Sequence, residues 1–154
     1  MILRTQYDYI IAGMGAAGLS LAMQLKNSKV PFEHILLIDK DLKETNDRTW
    51  CFWSKVNQPW LEPIIHKKWS QFEFKSNTFA KKYALGDYHY QMIRGIDFYT
   101  HCLKELRADP RFYILTAPVD HIFSDDEVAV ITVPKKQYYC NHLFNSVFRH
   151  PKVV

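Results

Sequence analysis

Glycine is scarce in this chain, five residues in 154, and cysteine scarcer still, at three. Cys51, Cys102 and Cys140 are far apart, odd in number and without any C-x-x-C spacing. That pattern excludes a disulfide framework and a zinc site and fits a reducing, cytosolic setting. Long apolar runs are also missing. No stretch approaches the roughly 20 apolar residues that cross a bilayer, so any membrane contact is expected to be peripheral. Six residues with the single charge Arg4 precede the first apolar run, which glycines and Asp8 interrupt, and no signal peptide is read. The seven histidines are scattered outside any H-x-x-x-H spacing, so no metal site is expected. Asp125, Asp126 and Glu127 read as a solvated turn, not a cation site. Ser20 and Ser28 lie outside any G-x-S-x-G elbow, which leaves no nucleophile candidate.

What is present is enough for a packed core: 47% apolar residues and 15% aromatics, over a length typical of one domain. Tyr7 to Ala12 is nearly all apolar, as a parallel strand buried on both faces would be. Residues 16 to 28 turn helical, with Leu19, Ala22, Met23 and Leu25 on one face. "HILLIDK" is a second buried strand ending in Asp39. Strand, helix and strand within about 33 residues make a βαβ unit. Residues 40 to 57 show no clean period and read as a loop that wraps something. "QFEFK" and "TFAKKYAL" read as a hairpin turning at Ser76-Asn77, and "YHYQMI" as a further strand. Residues 96 to 108 are expected to form a second crossover helix, and "FYILT" a third parallel strand. "VDHIF", "EVAVITV" and "QYYC" read as a meander turning at Ser124-Asp125-Asp126 and Pro134-Lys135-Lys136. "HLFNSV" is expected as a fourth parallel strand.

Three of the five glycines fall within six residues. Gly13-Met14-Gly15-Ala16-Ala17-Gly18 satisfies G-x-G-x-x-G between a strand and a helix, and Asp39 follows 21 residues after Gly18. The spacing has a mechanical basis. Gly13 permits the tight turn, Gly15 lets a pyrophosphate approach bare backbone, and Gly18 lets helix and sheet pack closely. The N–H groups at the helix start, Ala16 and Ala17 included, favour a bound anion. Asp39 is placed to accept from ribose hydroxyls, an environment unfavourable to a 2′-phosphate. The pattern implies dinucleotide binding and does not separate FAD from NAD.

At this point the chain resembles a known family, the FAD-dependent lycopene cyclases of carotenoid biosynthesis. The carrying stretches are "DYIIAGMGAAGLSLAMQL", "ILLIDKD", "NDRTWCFW" and "YHYQMIRGIDFYTHCLKEL", and the likeness runs from Tyr7 to about Val147. The resemblance implies an α/β, Rossmann-like FAD/NAD(P)-binding domain over residues 1–154, a parallel sheet flanked by helices plus an antiparallel β-meander. A hairpin region near residues 69 to 93 is expected to be inserted there, facing a substrate domain. The cofactor implied is FAD, with NAD(P)H as reductant. The residues implied to bind it are Gly13, Gly15, Ala16, Ala17, Gly18, Asp39, Lys40, Arg48, Thr49, Trp50 and Arg94, the last toward the flavin. The substrate implied is lycopene or a related linear carotenoid. The reaction implied is an isomerisation: an acid protonates the terminal double bond, a neighbouring double bond attacks the cation, and proton loss leaves a β-ionone ring. No catalytic acid is identified in the chain. Members of the family are more than twice as long, and the residues given are expected to be inactive by themselves. A monooxygenase or hydroxylase of the same fold and a non-catalytic dinucleotide-binding module remain open alternatives.

Residues 50 to 82 hold eight Trp and Phe rings interleaved with six lysines against two glutamates, and that excess of four equals the formal charge of the whole chain, +4. An ordinary core with solvated lysines accounts for the stretch, and so does a peripheral membrane surface. Single-stranded nucleic acid uses the same ingredients, and nucleic acid is not adopted as a partner.

Overall fold

The computed structural model describes residues 3–56, 58–124 and 129–147. The chain divides into two compact units, one built from Met1–Lys43 with Cys102–Val154 and the other from Glu44–His101. The turn at Ser124-Asp125-Asp126 and the three acids 125 to 127 lie outside the described residues, Ser124 excepted.

The first unit is a six-stranded sheet. In chain order its elements are β1 (Gln6–Ala12), α1 (Ala16–Asn27), β2 (Ile35–Asp39), and, after the second unit, β8 (Phe112–Thr116), β9 (His121–Ser124), β10 (Ala129–Val133) and β11 (Lys136–Asn145). The spatial order is β8-β2-β1-β11-β10-β9. β8, β2, β1 and β11 run parallel, while β10 and β9 continue antiparallel as a meander. Ile35 to Ile38 are fully buried, so β2 has no polar face, as expected of a central parallel strand. Side chains alternate across the sheet. Tyr7, Ile10, Ala12, Leu36, Ile38, Tyr113, Ile131, Tyr138 and Cys140 form the core on one face. Burial raises the Tyr7 phenol to about 12, with the neighbouring Tyr138 and Tyr113 adding to the shift and the Arg4 N–H opposing it. Ile11 points to the other face, where α1 packs so closely that Gly18 lies against its side chain. Lys26 of α1 pairs with Glu105 at 2.7 Å.

The second unit comprises β3 (Thr49–Ser54), β4 (Lys67–Trp69), β5 (Gln71–Lys75), β6 (Ala80–Ala84), β7 (His89–Arg94) and the first half of α2 (Gly95–Arg107). β7 is the middle strand of a three-stranded antiparallel sheet, flanked by β3 and β4, and β5 and β6 form a separate hairpin. Trp50 turns inward and packs edge-on against Phe98 and Tyr99 of α2 at ring distances of 5.3 and 5.7 Å.

Two expectations are corrected. Residues 40 to 57 are not all loop, because Thr49–Ser54 is strand β3 with alternating exposure. Both of its faces carry aromatic side chains, which hides the period of two in the sequence. "QYYC" and "HLFNSV" are not separate strands either. They belong to the single ten-residue β11, whose first half pairs antiparallel with β10 and whose second half pairs parallel with β1. Asn141 and His142 look like a break in sequence, yet the strand runs on through them and the ladder to β1 resumes at His142, opposite Tyr9.

Candidate functional site

The chain leaves β1 into α1 through Gly13, Met14 and Gly15, and the fold fixes this turn from three sides. The Gly13 N–H donates to the Ile38 carbonyl at 2.7 Å. The Met14 N–H donates to Asp39 Oδ2 at 2.6 Å. Just past the end of β11, the Ser146 N–H and Oγ–H both donate to the Ala12 carbonyl at 2.9 Å. Gly13 has φ +103, a conformation side chains resist, and a Cβ there would overlap the Ser146 hydroxyl. At Gly18 a Cβ would fall on the Gly13 carbonyl oxygen.

Gly15 is different. It caps α1 with φ −80 and ψ −167, backbone that any residue adopts, and a Cβ built on it meets nothing within 4 Å. Neither the fold nor its packing requires a glycine here. The open space belongs to whatever approaches from outside, and the helix start beside it has no side-chain cap and no acid in its first turn. Such an end favours a bound anion.

The space is a cavity of about 450 Å³ lined by Gly13, Gly15, Asp39, Lys40, Lys43 and Ser146, with Pro118, Val119 and Val147 completing the wall. It opens at the carboxyl ends of β1, β2 and β11, between the strands where the order reverses, which is the place where open α/β sheets bind ligands. Asp39 is held ready at its rim. Its Oδ1 accepts the Asp41 N–H at 3.0 Å, and Oδ2 takes Met14 and the Lys43 ammonium, the latter at 3.2 Å. A carboxylate offers about four lone-pair directions, so acceptor capacity remains on Asp39 beyond these partners.

The structure thus brings Gly13, Gly15, Asp39 and Lys40 to one cavity. Ala16, Ala17 and Gly18 form the first turn of α1, and Ala17 and Gly18 border a second hollow with Leu21, Leu143 and Phe144. Arg48, Thr49, Trp50 and Arg94 lie in the other unit. There, Thr49 stands opposite Arg94 across the β3–β7 ladder, and the Gly95 N–H donates to the Arg48 carbonyl at 2.7 Å. The Arg94 guanidinium is bidentate to Asp97, at 2.6 and 2.9 Å, and this pairing raises its already high pKa. Arg48 is largely exposed, 3.7 Å from Asp47. Trp50 belongs to the aromatic core of its unit. Lys43 and Ser146 were not foreseen. The i+4 spacing of Lys43 from Asp39 was the available signal for one, and the place of a fourth parallel strand beside the first for the other.

The model of the family described as lycopene cyclase protein matches residues 8–147. The chain belongs to the lycopene cyclase family. No curated protein matches it in sequence. Its fold is shared with solved flavoenzyme-type structures. Against FqzB the TM-score is 0.65 at 15% identity, covering 89% of this chain and 35% of that one. Against p-nitrophenol 4-monooxygenase PnpA from Pseudomonas putida DLL-E4 it is 0.64 at 14% identity, covering 90% and 40%. Against CtdE, solved in complex with FAD, it is 0.61 at 13% identity, covering 90% and 37%. This lycopene cyclase family chain therefore spans well under half the length of these structures. Among the described residues, no helix is long and apolar enough to cross a membrane, and no group of three His, Cys, Asp or Glu could hold a metal ion.

Proposed function

We propose that these residues are the FAD-binding portion of a lycopene cyclase, an enzyme that converts the linear ends of lycopene to β-ionone rings without net oxidation. The observation that carries the reading is the unfilled space at Gly15, on a turn where the other two motif glycines are required by the fold itself. The diphosphate would lie on the N–H groups of Gly15, Ala16 and Ala17, where no Cβ intervenes and the helix end attracts negative charge. Asp39 would take the ribose hydroxyls while the Met14 N–H holds its carboxylate in place. Ser146 keeps Gly13 in its positive-φ turn and so preserves the cradle. Lys40, at the rim, offers a cation near the phosphates. The chemistry FAD supplies when bound and reduced is stabilisation of positive charge developing on the polyene, with NAD(P)H as the source of electrons for the reduction.

Calorimetric titration of the protein with FAD, NAD and NADP tests the first half of the proposal. FAD is expected to bind most tightly and NADP most weakly, and tighter binding of NAD than FAD would refute it. Lycopene offered to a full-length enzyme carrying these residues tests the second half. A cyclic product of unchanged mass is expected. The fold shared with PnpA favours a second reading, a monooxygenase, which would instead add one oxygen atom while consuming NAD(P)H.

A further inference from the structure

We propose that the Lys43 ammonium is a placeholder for one hydroxyl of the ribose, held on Asp39 until a sugar diol displaces it. The proposal rests on the reading of this cavity as a dinucleotide site and adds to it how the sugar gains its acceptor. The partners of Asp39 are unevenly shared. Oδ1 accepts the Asp41 N–H at 3.0 Å, whereas Oδ2 accepts the Met14 N–H at 2.6 Å and faces the Lys43 ammonium at 3.2 Å. Each carboxylate oxygen has about two lone-pair directions, so one remains open on Oδ1 while those on Oδ2 are taken. A ribose diol presents two neighbouring O–H donors. To engage the carboxylate through both of its oxygens, it must replace a partner on Oδ2.

Lys43 is the partner able to leave. The Met14 N–H belongs to a turn pinned to the sheet, where the Gly13 N–H donates to the Ile38 carbonyl at 2.7 Å. The ammonium instead ends a flexible stem of four carbons. Its own backbone is fixed: the Lys43 N–H donates to Asp41 Oδ1 at 2.8 Å, and φ is +59. A residue other than glycine persists in that conformation where its surroundings impose it, and here the loop delivers the ammonium to the carboxylate. The two side chains are 13% and 12% exposed, so water screens the pair weakly and a departing ammonium needs another anion. The cavity that Lys43 lines together with Gly15 and Lys40 is the one a diphosphate would enter. The exchange therefore conserves charge: the ammonium passes from carboxylate to phosphate as the hydroxyl takes its place.

The test is calorimetric titration of the flavin-free protein with ADP, the half that FAD and NAD share, and with 2′-deoxy-ADP, which keeps the diphosphate and lacks one hydroxyl. The unmodified protein is expected to prefer ADP modestly, because the second hydroxyl is opposed by the ammonium it displaces. In Lys43→Met nothing has to leave, and the preference for ADP should rise about fivefold, the ion pair no longer having to be broken. The ratio of the two affinities is the readout, since the variant also loses a cation beside the phosphates. Lys43→Arg restores a charge on Asp39 and should bring the ratio back down. In the unmodified protein the NMR signal of the Lys43 ammonium should move further with ADP than with 2′-deoxy-ADP, a measurement that needs no variant. A preference for ADP that falls in Lys43→Met would mean that the ammonium clamps the carboxylate in place, and it overturns the proposal. An unchanged ratio, or equal movement of the ammonium signal with both nucleotides, overturns it as well. If neither nucleotide binds the unmodified protein, the dinucleotide reading itself is refuted and the exchange with it.

Discussion

Of two glycines three residues apart, only one should lose stability to an added methyl group. In Gly18→Ala the new Cβ would fall on the backbone oxygen of Gly13, and it would stand 3.1 Å from Ile11 Cγ2. The oxygen cannot swing aside, because the turn that carries it is held by the Gly13 N–H on Ile38 and by Ser146 on Ala12. Overpacking of this kind costs about 1–3 kcal/mol, and a rigid backbone partner puts it at the upper end. Alanine's better helix propensity returns about 1 kcal/mol, leaving a net loss of about 2 kcal/mol. For a chain of this length that is a fall in Tm of roughly 4–8 °C. In Gly15→Ala the Cβ enters empty space on permitted backbone. Lower unfolded-state entropy and the slightly poorer alanine cap nearly cancel, so stability should move by no more than about 0.5 kcal/mol. Urea unfolding of the cofactor-free protein followed by circular dichroism measures both. If Gly15→Ala is as destabilising as Gly18→Ala, the space beside Gly15 is not open and the argument built on it fails.

Cysteine reactivity should separate the three thiols. Burial raises Cys102 to about 12 and Cys140 to about 11, whereas Cys51 is exposed, so iodoacetamide at pH 8 should label Cys51 alone until denaturant is added, as peptide mass mapping would read. Rapid labelling of Cys102 in the native protein would contradict the burial of the α2 core. Acid should weaken the first unit through Asp8. Burial alone would raise its carboxyl, but the N–H groups of His34 and Glu33, at 2.8 and 2.7 Å, outweigh that and hold it below the ordinary value of 3.8. A depressed folded-state value means its stabilisation is complete above about pH 5 and disappears as pH falls through that value. Asp8→Ala should cost about 1 kcal/mol at pH 7, discounted for a half-exposed group, and should flatten the stability profile below pH 5. An unchanged profile would show that Asp8 does not carry this dependence.

The parallel core was legible because burial on both faces leaves an unbroken apolar signature. "IIA" before the glycines and "ILLID" before the second loop could be little else, and the G-x-G-x-x-G spacing with Asp39 pointed to the turn and the strand end that line one cavity. Alternation failed where it was masked. In β3, Trp50 and Phe52 turn inward while Cys51 and Trp53 turn outward, and both sets look apolar in sequence. Lys43 reaches Asp39 because its backbone turns back at φ +59, a local choice with no glycine or asparagine to announce it. Ser146 reaches Gly13 only because β11 lies beside β1, and that adjacency is a property of strand order, not of any nearby residue.

The most direct test of the account is the affinity for FAD of the protein and of its Gly15→Val variant, measured by flavin fluorescence quenching after both are shown to unfold at similar denaturant concentrations. A valine side chain would occupy the cradle and deny the diphosphate its main-chain N–H groups. Two charge-assisted hydrogen bonds lost at about 1.5 kcal/mol each weaken binding by roughly a hundredfold or more. A loss of that size with the fold intact is the predicted result. FAD affinity that stays the same in the variant would contradict the placement of the cofactor and the function built upon it.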